Sequence, residues 1–225
     1  SYTLTLKPSY LYKPNVFTNF EIQTRAFWFF KNFWDASVTL NIQPQWQHDY
    51  FEMRTAGVMM KRTGYWYASV GGSSDSRKQF FFRYNAGFAE SPIPNDAYFS
   101  LNLAPRYRFD DHFSLDLDLK RDEDNGQYGY AYRNTAGVPI AGRRKVTTVT
   151  SIVNAIYNFN ARMNVTARAR HYWSKVEYEN FFNVTPNGGL SEIAYVSGKN
   201  QNFNVFNIDM SVSYTHLTLP TTPYV

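Results

Sequence analysis

The stretch that decides the fold is FSLNLAPRYRFDDHFSLDLDLK, residues 99–120. In its second half apolar and polar residues alternate without a break: Phe113, Leu115, Leu117 and Leu119 alternate with Ser114, Asp116, Asp118 and Lys120. A period of two residues is typical of a β-strand with one apolar and one polar face. The first half alternates in the same way, and the two halves meet at Asp110-Asp111, a pair that favours a tight turn. The stretch therefore predicts two antiparallel strands joined by a short turn.

The same alternation recurs along the chain, and no segment keeps the 3.6-residue period of a helix. It predicts ten strands, near residues 2–12, 16–29, 33–43, 65–73, 78–89, 97–109, 112–122, 146–159, 163–175 and 202–211. Most of these strands are longer than the five or six residues that are commonest in globular proteins. They match the roughly 9 to 11 residues that a tilted strand needs to cross a bilayer.

Short and long links alternate between the predicted strands. Tight turns are expected near Lys31, Asp75, Asp110 and Asn160, and long links at 44–64, 90–96, 123–145 and 176–201. This sorting is typical of outer-membrane barrels, which have short periplasmic turns and longer outer loops. The first link, at 13–15, is an exception because it is short where a long one is expected.

Aromatic residues gather at the predicted strand ends, for example at Trp28, Trp34, Trp66 and Trp173. Such clusters resemble the aromatic girdles at the two membrane interfaces of a barrel. The predicted fold is therefore an all-β, antiparallel, up-and-down transmembrane β-barrel, incomplete and of about ten strands, over residues 1–211. The alternative is a soluble β-protein whose aromatic side chains fill a core.

Composition excludes several classes of protein. The 225 residues include no cysteine, which excludes disulfides and zinc–thiolate sites, while aromatics make up 19%, too many for a disordered chain. The longest apolar run is Ala26–Phe30, far short of the roughly 20 residues of a spanning helix. The net charge of +5 is spread along the chain, with one basic run at 143–145, so no nucleic acid is expected as a partner.

Charged residues on the polar parity of the strands are expected to face the barrel lumen. They are Glu21, Arg25, Arg83, Arg106, Arg108, Asp116, Asp118, Lys120, Arg168, Arg170 and Asp209. One interpretation is a lumen of mutually paired charges. The other is a conduit or binding surface for an anionic or sugar-like solute, because arginine side chains suit carboxylate and phosphate groups and charged rings set pore selectivity.

No catalytic constellation and no metal-ligand spacing is found, so no catalytic residue, metal or cofactor is assigned. The segment DYFEMRT, residues 49–55, mixes acidic, aromatic and basic side chains inside the long 44–64 link. Asp49, Tyr50, Glu52 and Arg54 are therefore a candidate recognition loop. The alternative for this segment is a loop folded over the barrel mouth.

Five strings carry a resemblance to a known family. They are DYFEMRT (49–55), SLNLAPRYRFDDHFSLDLDLK (100–120), GRRKVTTVT (142–150), RHYWSKVEY (170–178) and FNVFNIDM (203–210). The chain resembles the C-terminal barrel region of the Gram-negative outer-membrane family called domain of unknown function 5916. That resemblance implies an upstream domain similar to family-nine carbohydrate-binding modules, the lipid bilayer of the outer membrane as a partner, and glycan as a candidate ligand. Residues 212–221 resemble a translated sequencing adapter, so 212–225 are expected to be a non-native tail and the chain a fragment.

Three functions are considered for the chain. The first is part of an outer-membrane β-barrel that anchors, and serves as a conduit for, a glycan-binding or glycan-processing protein. The second is a soluble β-rich carbohydrate-binding module that uses exposed aromatic side chains as sugar platforms. The third is an outer-membrane hydrolase, which the lack of a catalytic constellation makes weakest.

Overall fold

The computed structural model describes residues 1–13 and 15–214, and these residues form thirteen β-strands and no helix. Thus no helix long and apolar enough to span a membrane occurs in this part of the chain. The strands are β1 (Tyr2–Leu11), β2 (Val16–Phe29), β3 (Asp35–Gln43), β4 (Gln47–Asp49), β5 (Met60–Arg62), β6 (Tyr65–Ser73), β7 (Phe80–Glu90), β8 (Ala97–Arg108), β9 (Phe113–Arg133), β10 (Pro139–Asn160), β11 (Met163–Val184), β12 (Leu190–Ile193) and β13 (Gln201–Tyr214).

One antiparallel sheet contains eleven of these strands in the order β1-β2-β3-β6-β7-β8-β9-β10-β11, with β12 and β13 both paired to β11. The small hairpin β4–β5 leaves the sheet between β3 and β6. Because β12 and β13 pair with successive parts of β11, the sheet is ten strands wide. The predicted all-β, antiparallel, sequential arrangement is confirmed. In residues 1–13 and 15–214 no ladder joins β1 to β13, so no closed barrel is seen.

Each predicted strand coincides with an observed one, but β9, β10 and β11 are 21 or 22 residues long. The links predicted at 123–145 and 176–201 are therefore largely strand. The alternation of apolar and polar residues did not predict these extensions, because residues after Leu119 are polar on both faces, as in Arg121–Gln127. Backbone pairing continues regardless, for example between Gly129 and Gly142.

The C-terminal strand β13 continues through Val212 to Tyr214, which lies opposite Met163 on β11. It thus includes the first three residues of the segment that is expected to be non-native. That origin stays a prediction, and residues 215–225 lie outside the described residues.

The register gives the sheet two chemically distinct faces, because residues directly opposite each other in an antiparallel pair share a face. One cross-strand row joins Arg25, Thr39, Ser69, Gly87 and Ser100. We call the face that carries this row the charged face. The next row, displaced by one residue, joins Ala26, Val38, Val70, Ala86 and Leu101 and lies on the apolar face.

The apolar face carries a band of hydrophobic side chains, exposed or partly exposed to solvent, across the sheet. On β7 the band runs from Phe80 to Phe88, and on β9 from Phe113 to Leu119. Above Leu119 the same face of β9 presents Arg121 and Glu123, which form an ion pair. The band therefore ends where β9 enters its polar extension.

Aromatic rings line the short-turn edge of this band. The ring centroids of Tyr107 and Phe109 lie 4.8 Å apart, those of Phe109 and Phe113 5.0 Å, and those of Tyr157 and Phe159 4.8 Å. The turn between β8 and β9 is fixed by Asp110, whose Oδ1 accepts hydrogen bonds from the N–H groups of His112 (2.8 Å) and Phe113 (2.7 Å). These two bonds hold the pKa of Asp110 below its usual range.

Candidate functional site

A cavity of about 690 Å³ lies between the charged face and the β4–β5 hairpin. It is at the end of the sheet opposite the short turns, which we call the long-loop end. Its floor is a single cross-strand row of the charged face: Asn41, Tyr67, Ala89, Tyr98 and Asp124. The roof and walls come from the hairpin and its flanks, the 91–96 loop, the extension of β9 and the β11–β12 turn. This volume is typical of small-molecule sites, which span about 300–1,000 Å³.

The β4–β5 hairpin crosses the end of the sheet to form this roof. On one side His48 Nδ1 lies 3.3 Å from the carbonyl of Phe17 in β2. On the other, the N–H of Lys61 donates to the carbonyl of Gly188 (2.9 Å), between β11 and β12. Since β2 and β11 lie seven positions apart in the sheet order, these contacts connect distant strands.

A glycine in the row below makes room for the floor. A Cβ added to Gly87 would lie 2.8 Å from both the Tyr67 ring and the Ser100 Oγ, closer than real side chains approach. The absence of a side chain at Gly87 therefore leaves space for the Tyr67 ring against β7. The Tyr67 and Tyr98 rings are 6.4 Å apart and inclined by 44°, so they form a continuous aromatic surface beneath the cavity.

The four residues of the candidate recognition loop lie beside this roof. Asp49 accepts hydrogen bonds from the N–H groups of Phe51 and Glu52, both at 2.9 Å, which tightens the turn after β4. The guanidinium of Arg54 stacks on the Tyr130 ring at 4.7 Å, and Tyr50 is half-buried.

Glu52 connects this loop to the strand extensions and to β5. Its Oε1 accepts a hydrogen bond from the N–H of Tyr130 (2.9 Å), and the guanidinium groups of Arg62 and Arg144 lie 3.5 and 3.7 Å from its carboxylate. Arg62 also lies 3.7 Å from Asp49 and donates to the carbonyl of Tyr128 (2.9 Å). The contacts of Asp49, Glu52 and Arg54 are internal, as in a loop folded over the strands. A role for these residues in ligand recognition stays a prediction.

An apolar cluster anchors the hairpin to the strand extensions. Met53 and Met60 are fully buried against Ala141 of β10. A second cluster, of Ile140, Tyr178 and Phe181, packs the extensions of β10 and β11 together. The roof is therefore held by side-chain packing as well as by ion pairs.

Two carboxyl groups border the cavity in surroundings that favour their neutral form. Burial is the main cause that raises the pKa of Asp124 to about 6, and the nearby Asp96 adds to it. Burial likewise raises the pKa of Asp96. Both groups lie beyond the apolar band, on the polar extension of β9 and in the 91–96 loop.

All eleven charged residues predicted to line a lumen lie on the charged face by register; for example, Arg106 is opposite Asp116, and Arg168 is opposite Asp209. Some are paired: Lys7 lies 3.1 Å from Glu21, and Arg83 lies 3.9 Å from Asp118, two strands away. Others bind turn backbone, since Arg106 and Arg108 donate to the carbonyl of Ser76. The described residues place no carboxylate within 4 Å of the guanidinium groups of Arg25, Arg168 and Arg170.

The cavity could not be predicted from the sequence. Tyr67, Tyr98 and Asp96 carry no local signal that distinguishes them from other strand-end residues, and Asp124 lies in a segment predicted to be a loop. In residues 1–13 and 15–214, no group of three or more histidine or acidic side chains is arranged to hold a metal ion.

Comparison with known proteins places the chain in a family. No curated protein and no solved structure matches it. The model of the family described as domain of unknown function (DUF5916) matches residues 1–218, nearly the whole chain. The chain therefore belongs to the DUF5916 family.

Proposed function

We propose that this chain forms the membrane-spanning wall of a β-barrel in the outer membrane of a Gram-negative bacterium. The observation that carries the proposal is the exposed apolar band, which crosses neighbouring strands on one face while the opposite face is charged. A soluble sheet buries its apolar face in a core. Here large side chains of that face, such as Phe80 and Phe88, remain accessible.

The dimensions of the band support this proposal. From Phe80 to Phe88 there are eight residue steps, about 26 Å along the strand at 3.3 Å per residue. A strand tilted by about 40° would therefore cover about 20 Å along the membrane normal. Transmembrane barrels have an outward apolar band about 25 Å tall, flanked by aromatic girdles. The ring pairs at the short-turn edge supply one such girdle, and Trp66 with Phe88, 5.6 Å apart, lies at the opposite edge.

Two roles follow from such a wall. As an anchor, it holds an upstream carbohydrate-binding-like domain, and with it a bound glycan, at the cell surface. As a conduit, it presents a lumen with more basic than acidic residues, and Arg25, Arg168 and Arg170 favour an anionic solute. Closure of the sheet into a barrel is part of the proposal.

The test uses two neighbouring residues of β9 in the full-length protein. Leu117→Arg puts a charge on the apolar face and should cost about 2–4 kcal/mol of assembly if the site is near the bilayer midplane. Asp116→Arg makes the same new side chain on the charged face and should be tolerated better. Assembly is read in liposomes as the heat-modifiable, protease-resistant band on a gel.

Equal loss of assembly in both variants would refute the two-face assignment. A full-length protein that stays monodisperse and folded without detergent would instead favour the soluble carbohydrate-binding module. Hydrolysis of glycan or lipid by the purified protein would favour the outer-membrane hydrolase, and loss of that activity in Asp49→Asn and Glu52→Gln variants would place it in the 49–55 segment.

A further inference from the structure

The cavity beneath the β4–β5 hairpin contains two carboxyl groups that form no salt bridge with a described residue, although Arg62, Arg143 and Arg144 act on them from a longer distance. In the described part of the chain, no lysine or arginine nitrogen lies within 4 Å of either Asp96 or Asp124. Each carboxyl instead receives a hydrogen bond from a neutral side chain: Ser91 Oγ donates to Asp96, and Gln127 Nε2 donates to Asp124 at 2.6 Å. A half-buried carboxylate without a direct ion pair is costly, so this site gains free energy from a cation that enters it.

The nearby arginine side chains already have ion-pair or hydrogen-bond partners elsewhere. Arg62 binds Asp49, Glu52 and the carbonyl of Tyr128. Arg144 donates to Gln127 (2.7 Å) and to the carbonyl of Tyr130 (3.0 Å) and faces Glu52. Arg143 lies 3.3 Å from Glu179 and donates to the carbonyl of Pro94. The remaining charged groups of the lining are Lys61, in the roof, and Glu90, at the end of β7.

The buried amides beside the cavity also lack hydrogen-bond donors. Gln43 is only 6% exposed, and its Oε1 accepts no hydrogen bond. It borders a second, adjoining cavity that shares Trp46, Thr63, Tyr65, Glu90 and Ser91 with the first. The buried Oδ1 of Asn41, in the floor, is likewise without a donor. The two amide oxygens can each accept a hydrogen bond from a ligand, whereas the Nε of the nearby Arg143 is a buried donor without a hydrogen-bond acceptor.

Aromatic faces complete the site. Tyr67 and Tyr98 form the floor, and Tyr128 and Phe182, 5.6 Å apart, form one wall. Trp46 lies at the junction of the two cavities. Electron-rich ring faces attract cations and pack against apolar surface.

We propose that this cavity binds an organic cation, an ammonium or guanidinium group carried on an apolar or aromatic body. The charged group lies between Asp96 and Asp124 and donates hydrogen bonds to them, while the body packs against the tyrosine floor. The site is built from the charged face and the roof, so it exists whether or not the sheet crosses a membrane.

The first test compares two probes of nearly the same shape on the full-length protein in detergent. Benzoyl-arginine amide carries a guanidinium, and benzoyl-citrulline amide carries a neutral urea in its place. Calorimetry or Trp46 fluorescence should show at least tenfold tighter binding of the arginine probe, since hydrogen bonds to charged groups are the strong ones. Equal affinity for the two probes, or binding of glucose in preference to both, would overturn the proposal.

Variants then locate the site. Asp124→Asn should weaken the arginine probe at least tenfold, whereas Asp116→Asn, the same change lower on the same strand, should leave its affinity unchanged. Lys61→Gln removes a cation that has no ion pair among the described residues. It should tighten binding of the arginine probe, because one positive charge beside the cavity is lost. Far-UV circular dichroism checks that each variant is folded. An unchanged affinity in folded Asp124→Asn would refute the site, and the wild-type probe comparison decides the matter if that variant does not fold.

The pH profile gives an independent readout. Because Asp124 ionises near pH 6, the affinity for the arginine probe should rise between pH 5 and pH 7. The pKa of Asp96 is raised as well, and the other charged groups around the cavity are Arg62, Arg143, Arg144, Lys61 and Glu90. The citrulline probe should show no such rise, and a flat profile for the arginine probe would contradict the proposal.

Discussion

At the scale of single residues, Asp124 links the cavity to pH. Its folded-state pKa of about 6 lies above the ordinary aspartate value of 3.8, so the folded protein holds this proton more tightly than the unfolded chain does. The stabilisation from that proton is fully present below pH 3.8 and is lost as the pH rises through about 6.

Asp124→Asn should therefore raise the thermal unfolding midpoint relative to wild type, and the difference should be larger at pH 7 than at pH 5. Part of the wild-type pH dependence should remain in the variant, because the pKa of Asp96 is also raised. Midpoints measured in detergent at the two pH values, without ligand, check this. A difference that shrinks toward pH 7 would contradict the assignment.

Glu52 provides the second prediction at this scale. Glu52→Ala removes the acceptor for the N–H of Tyr130 and leaves Arg62 and Arg144 without their shared carboxylate. The expected cost is about 1–3 kcal/mol, because the half-buried N–H of Tyr130 loses its acceptor and two partly buried guanidinium groups lose a carboxylate. The matched control is Glu179→Ala, which breaks a more exposed pair with Arg143 and should cost at most about 1 kcal/mol. Hydrogen exchange over residues 49–62 measures the difference. Equal protection in the two variants would contradict this stabilising role of Glu52.

At the scale of elements, the β4–β5 hairpin is attached to the strand extensions by Met53 and Met60. Met60→Ala should leave a cavity in this cluster and cost about 2–5 kcal/mol of local stability. We expect trypsin to cleave at Lys61 and Arg62 much faster than in wild type. Assembly of the sheet should be unaffected, because the apolar band makes no use of this cluster.

The matched control for the hairpin is Met210→Ala on the apolar face of β13, where the methionine is exposed. It should leave cleavage at Lys61 and Arg62 unchanged. Rapid cleavage in both variants would show that the hairpin depends on the sheet as a whole and not on its own cluster.

At the scale of the whole molecule, the two-face arrangement predicts which tryptophans meet lipid. Trp28 lies on the apolar face near the short-turn edge, and Trp46 lies beside the cavity; both are exposed to solvent in the isolated chain. In single-tryptophan versions of the full-length protein, with the others changed to phenylalanine, brominated lipids should quench Trp28 strongly and Trp46 weakly. Equal quenching of the two, or none of either, would contradict the proposed membrane wall.

The local pattern of the sequence was sufficient for the architecture of the strands. Alternation such as that of residues 113–120 repeats the two-residue period of a strand, so it predicts both the strand and the side of the sheet on which each charge lies. The register then places Asp116 opposite Arg106 on one face, because direct cross-strand partners share a face. Turn residues such as Asp110 act through bonds to their immediate neighbours, which is why they too could be predicted.

The arrangement of the long-loop end of the molecule was decided only by the tertiary structure. The extensions of β9 to β11 have no apolar alternation, and pairing with neighbours and packing under the hairpin hold them as strands. The cavity brings Asn41, Tyr98 and Asp124 together across five adjacent strands and adds a roof that is tied to both β2 and β11. Such contacts join residues far apart in the chain, so no local period records them. The sequence alone determined the strands and their two faces because these depend on neighbours two residues apart, whereas the site depends on which distant segments meet.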